Sequence, residues 1–130
     1  MCSVRTCPKG WLSLLLIAGS AVLLTGCPPP TWSGVDAARE HMTDDKAPQR
    51  ARATAVLGNA VVEDPKVSDL KLLIDRLTDA DLAVRLHAIT ALEQVAGSRL
   101  GYEPWASLSD RHRAVARWRG WFTARVEGGP

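Results

Sequence analysis

LIDRLTDADLAVRLHAITALEQVAG, residues 73–97, carries two helical patterns separated by a short polar break. Before the break, Leu73, Ile74 and Leu77 continue a row begun by Val67 and Leu70, and spacings of three and four place all five on one face of a helix. Thr78-Asp79-Ala80-Asp81 interrupts the row, and a second helix begins at Leu82. Its apolar set is Leu82, Leu86, Ile89, Leu92 and Val95, widened by Val84, Ala88, Ala91 and Ala96. An arc that wide belongs to a helix packed on more than one side, so this helix is expected at the centre of the core. Arg85 falls inside the same arc, between Ile89 and Leu92 on the wheel. A guanidinium there has to be paired, because an unpaired buried charge is costly.

The pattern recurs upstream. A shift of 35 residues places Met42 on Leu77, Thr43 on Thr78, Asp44 on Asp79, Arg50 on Arg85, Ala53 on Ala88 and Leu57 on Leu92. The upstream helices follow from the same reasoning. Val35, Ala38 and Met42 form a short apolar row with Ser33 as its expected N-cap. Residues 47–62 put Ala53, Val56, Leu57, Ala60 and Val61 on one side, with Pro48 suited to the first turn. Glu63-Asp64-Pro65 breaks the run, and Asp64 is the expected cap of the next helix with Pro65 as its first residue. Strand-like alternation is absent, so the fold class expected is all-α.

A helix pair recurring at this period is the mark of a stacked helical repeat. The stretch 73–97 resembles the HEAT and HEAT-like repeat family, in which an Asp in the turn is followed six residues later by an Arg in the second helix. Asp44 with Arg50 and Asp79 with Arg85 both keep that spacing; the first copy departs from the pattern with Lys46-Ala47-Pro48 where apolar turn residues are usual. The resemblance implies a structural ladder of carboxylates and guanidinia, with Asp79 meeting Arg50 or Arg85. After an irregular segment from Gly97 to Trp105, Ser107 or Ser109 can cap a last helix over residues 109–125, with Ala114, Val115, Trp118, Trp121 and Phe122 on its apolar face. GYEPWASLSDRHRAVARWRGWF (residues 101–122) is similar to a tail that follows the last repeat in some bacterial HEAT-repeat proteins. The expected architecture is an α-solenoid of about two HEAT-like helix pairs plus a C-terminal capping helix, spanning residues 35–126, with 127–130 as a tail.

The other end of the chain reads as a leader. Arg5 and Lys9 precede an apolar run from Trp11 to Leu24, about 14 residues long, where a bilayer-spanning helix takes ~20. Leu24-Thr25-Gly26-Cys27 resembles the bacterial lipobox, in which small residues precede a cysteine that is lipidated and becomes the first residue after cleavage. Residues 1–26 are therefore expected to be a lipoprotein signal peptide and Cys27 the lipid attachment site. The two or three acyl chains of a bacterial lipoprotein hold a protein to a membrane far more firmly than one. Pro28, rather than an Asp that retains some lipoproteins at the inner membrane, favours the outer membrane. Residues 27–34, with Pro28-Pro29-Pro30, form a stiff tether. Cys2 and Cys7 leave with the leader, so the mature chain keeps one cysteine and has neither a disulfide nor a cysteine metal site.

From Cys27 onward the chain has 14 Lys and Arg against 14 Asp and Glu, which offers no bulk field for nucleic acid. His41, His87 and His112 lie on different helices without ligand spacing, and there is no G-x-S-x-G elbow or phosphate-binding Gly loop. No enzyme, metal, cofactor or small-molecule substrate is expected. The role expected is a membrane-anchored interaction or scaffold module in the cell envelope, with an envelope protein as partner. The alternative is the last helix, where five arginines between Arg111 and Arg125 meet no acid: Arg113, Arg117 and Arg119 offer a surface for anionic lipid or cell-wall polymer.

Overall fold

A computed structural model describes residues 32–128. The leader, Cys27 and the three prolines after it lie outside the described residues. The described chain is all-α, with five helices and no strand: α1 (Val35–His41), α2 (Ala47–Glu63), α3 (Val67–Arg76), α4 (Leu82–Ala96) and α5 (Leu108–Glu127). None of these is long and apolar enough to cross a membrane.

Two helix starts differ from the sequence expectation. The N-cap of α1 is Gly34, not Ser33, and no side chain bonds to the first turn. Gly34 has φ 94°, a conformation that resists any side chain, so the backbone at this junction is set by the glycine. Asp64 closes α2 instead of opening α3, and Pro65 precedes the helix. A residue before proline is pushed toward extended backbone, and Asp64 adopts φ −140°, ψ 90°. Its carbonyl then accepts from the Lys66 amide at 2.9 Å, and helical bonding starts only at the Lys66 carbonyl. Elsewhere the local signals hold. Pro48 sits in the first turn of α2, the Asp81 carboxylate accepts from the amides of Ala83 and Val84, and Ser107, not Ser109, caps α5. Gly97 ends α4 in the left-handed conformation.

The helices form one core. α1 packs on α2 and α3 on α4; α2 and α4 make the most extensive contact, and α5 lies against α3. Ala38, Met42, Leu57, Leu70, Leu73, Leu77, Ile89, Leu92, Tyr102 and Trp118 fill the interior. The apolar arc of α4 is narrower than the sequence implied. Val84, Ala88, Ile89, Ala91 and Leu92 are buried, but Leu86 and Val95 are half-buried and Leu82 is 44% exposed. Covered by α2 and α3, α4 keeps one side outward. Gly58 lets α2 and α4 approach closely, since a Cβ built there would stand 2.9 Å from that of Ala91.

Candidate functional site

The 35-residue repeat of the sequence is also a repeat of hydrogen bonds. Arg50 donates through Nη1 to the carbonyls of Asp44 and Asp45, at 2.8 and 3.1 Å. Arg85 donates through Nη1 to the carbonyls of Asp79 and Ala80, both at 2.7 Å. In each turn the aspartate carboxylate accepts from the amide two residues on: Lys46 N for Asp44 at 2.8 Å, and Asp81 N for Asp79 at 2.9 Å. The arginine of each second helix thus ties down the turn that precedes it.

The pairs are also joined to one another. Arg50 forms a bidentate bond with Asp79, Nε at 2.9 Å and Nη2 at 3.0 Å, geometry that favours arginine over lysine. Arg76 adds Nη1 to the Met42 carbonyl at 2.7 Å and lies 3.6 Å from the same Asp79 carboxylate. One further period of 35 residues falls on Ala114 rather than an Asp, and the segment 100–106 takes over. Arg85 Nε donates to the Pro104 carbonyl at 2.9 Å, and the Tyr102 hydroxyl donates to the Leu77 carbonyl at 2.5 Å. Met42 and Leu77 are equivalent repeat positions, so the two carbonyls are served by Arg76 in one case and Tyr102 in the other. Tyr102 is fully buried, and its burial pushes the phenol pKa up.

One ion pair was not anticipated. Asp69, 2% exposed, receives Arg39 Nε at 2.8 Å and Nη2 at 2.7 Å, linking α1 to α3. The sequence did contain the signal that revealed Arg85: Asp69 stands four residues before Leu73, inside the apolar face of α3. Arg39 holds the Asp69 carboxyl below the usual carboxylate range. For Asp79, burial opposes ionisation, but the bonds from Arg50 and the Asp81 amide outweigh it and its pKa is also lowered. Both groups therefore bind protons more weakly in the folded chain than in the unfolded one. Their contribution is present above the unfolded carboxyl pKa of ~3.9 and is lost as pH falls through the lowered folded values. Asp69→Asn should cost about 1–2 kcal/mol in urea denaturation at pH 7, with the deficit shrinking toward pH 3. A deficit that stayed constant with pH would contradict the assignment.

The arginines of α5 divide by partner. Arg113 pairs with Asp110, and Arg117 donates Nε to the Leu100 carbonyl at 2.6 Å, fastening the 100–106 segment. Arg119 borders a groove of about 370 Å³ with Lys71, Ile74, Asp75, Phe122 and Thr123, and the Arg125 guanidinium lies 5.4 Å from the Trp121 ring centre. Of the apolar face, Ala114, Val115 and Trp118 are buried, while Trp121 and Phe122 are half-buried. The expected basic surface of Arg113, Arg117 and Arg119 is thus not a set of three equivalent free cations.

Trp32, counted as tether in the sequence, packs on the domain. Its ring stacks on His41 at 4.6 Å and 17°, Arg52 lies 4.8 Å from its centre, and Nε1 donates to Gln49 Oε1 at 3.0 Å. The carbonyl of Trp32 accepts from Arg52 Nη2 at 3.2 Å. Trp32 is therefore clamped to the domain two residues before the glycine that opens α1. Among the described residues no cluster of His, Cys, Asp and Glu has the makeup of a metal site. The chain matches no protein-family model, no curated protein and no solved structure.

Proposed function

We propose that the chain is a bacterial lipoprotein, anchored through Cys27, whose helical domain is a short HEAT-like repeat stack serving as a protein-interaction or scaffold module in the cell envelope. The repeated turn carries the structural half of this reading: Arg50 and Arg85 make the same two carbonyl bonds, and Arg50 reaches the aspartate of the next pair. Such links between successive units are how a helical repeat transmits order along a stack. The lipobox-like Leu24-Thr25-Gly26-Cys27 carries the anchoring half. The clamp at Trp32 fits a tether, because only four residues then lie between the acylated cysteine and Trp32, a reach of at most about 18 Å over the five residue steps. The domain would work close to the bilayer, the outer membrane being favoured by Pro28.

The second reading, binding of anionic lipid or wall polymer through α5, rests on the exposed Arg119 and Arg125. One fractionation experiment separates the two. In the anchored reading, Cys27→Ser releases the chain from envelope membranes, while the double change Arg119→Glu with Arg125→Glu leaves it bound. Release by the double change, with Cys27→Ser still bound, would reverse the assignment.

A further inference from the structure

We propose that the edge of the stack carrying the helix turns lies on the lipid bilayer, with Leu82, Trp105 and Leu108 seated among the headgroups. The proposal rests on the anchored reading, because it needs Cys27 in the same membrane. The ladder of bonds defines the edge. Arg50 and Arg76 gather the carbonyls of Met42, Asp44 and Asp45 beside the Asp79 carboxylate. Arg85 then joins the carbonyls of Asp79 and Ala80 to that of Pro104. The turns 42–46 and 77–81 and the segment 100–106 therefore follow one another along one side of the domain. Trp32 stands at the start of this row, since its partners His41 and Gln49 flank the first turn.

Large apolar side chains end the row. Leu82 lies two residues past Ala80, Trp105 follows Pro104, and Leu108 opens α5; they are 44%, 67% and 59% exposed. The other large apolar side chains exposed among the described residues are Val62, Val67 and Val126. These sit at the opposite end, where α2 stops, α3 starts and α5 stops, and none is aromatic. A tryptophan joins an apolar body to a polar N–H, which suits it to the headgroup layer of a membrane. Among the exposed charges of the edge, Asp45, Glu103 and Asp110 outnumber Lys46 and Arg113. The contact therefore draws on apolar insertion and not on attraction to anionic lipid.

The anchor selects the occupant. Four residues lie between Cys27 and Trp32, so Trp32 stands at most about 18 Å from the acylated residue. A folded partner beneath the edge would need about 30 Å, the diameter of a small domain. Helix layers stand about 10 Å apart, which puts Trp105, two layers on, about 20 Å along the edge from Trp32. A tilt about the tether brings all three side chains to lipid, where the apolar face of an interfacial helix sits about 5–10 Å deep.

Fluorescent labelling in lipid-only vesicles tests this, because acylation blocks Cys27 and one thiol can be introduced alone. Ala83→Cys, exposed beside Leu82, and Val67→Cys, at the opposite end, each carry an environment-sensitive dye. The lipidated chains are reconstituted in phosphatidylcholine and phosphatidylethanolamine vesicles that hold a nitroxide-labelled lipid. Quenching at Ala83→Cys should exceed that at Val67→Cys at least about threefold, and should not rise when phosphatidylglycerol is added. Adding Trp105→Ser with Leu108→Ser should bring it down to the Val67→Cys level, while circular dichroism shows the helices intact. Equal quenching at the two positions, quenching that needs phosphatidylglycerol, or a double change without effect would overturn the proposal. Dye uptake by the chain with no introduced cysteine would instead mean that Cys27 is free, which refutes the anchor. The same labels in a Cys27→Ser background, mixed with the vesicles, then decide the edge separately: preferential quenching at Ala83→Cys supports it and its absence overturns it.

Discussion

Arg85→Ala is expected to lower the unfolding free energy by about 3 kcal/mol or more, read as a shift of the urea midpoint. The side chain is 7% exposed and donates to three carbonyls, those of Asp79, Ala80 and Pro104. Truncation leaves these acceptors without their donor in a site too closed for easy replacement by water, and it opens a cavity beside Ala88 and Ile89. For a domain of about 100 residues this is a large part of the whole stability. Arg85→Lys should recover only part of the loss, because an ammonium on a single stem cannot serve the Pro104 carbonyl and the turn together in the geometry of the guanidinium fork. Arg50→Ala should cost less, since its side chain is 16% exposed and Asp79, once released, still has Arg76 3.6 Å away. A loss below about 1 kcal/mol for Arg85→Ala would mean the turn holds without its arginine.

Trp118→Ala should destabilise the domain by about 3–5 kcal/mol, the range for removing a buried large aromatic. Trp118 is fully buried, donates Nε1 to the Arg99 carbonyl at 3.1 Å, and meets Trp121 edge-on at 5.4 Å. It is the main apolar link between α5 and the rest of the core, with α3 the helix that α5 packs upon. The change should therefore also reduce helical content at moderate temperature, as α5 loosens while the pairs α1–α2 and α3–α4 persist. Trp121→Ala, at a half-buried position, should cost about 1 kcal/mol or less beyond the lost edge-on contact. Equal losses at the two tryptophans would contradict the placement of α5.

The repeat was legible in the sequence because it is a matter of spacing. Asp44, Arg50, Asp79 and Arg85 recur at fixed intervals, and an arginine inside an apolar arc declares that a partner must exist. What spacing cannot say is which groups come together across the core. Asp79 lies near both Arg50 and Arg85 in the chain pattern, and only the packing of α2 on α4 gives its carboxylate to one and its carbonyl to the other. Arg39 and Asp69 were missed because they sit 30 residues apart, outside the repeat period, although Asp69 lies inside the apolar face of α3 and carried the same signal as Arg85. The caps at Ser33 and Asp64 were misplaced for a local reason: Gly34 and Pro65 each constrain their own neighbourhood more strongly than a capping side chain does. Trp32 was hidden by its surroundings, since three prolines before it make the whole segment read as tether.

For the basic surface, composition exposed five arginines but not their engagements. Arg113 and Arg117 are occupied by Asp110 and by the backbone of the 100–106 segment, a division that no count of charges contains.

The proposed account depends most on the anchor, and intact-mass analysis of the chain recovered from envelope membranes tests it most directly. The prediction is a protein that begins at Cys27 and carries the added mass of diacylglycerol, with or without a further acyl chain on its amine. A chain that begins at another residue, or one that begins at Cys27 with an unmodified thiol, would contradict it.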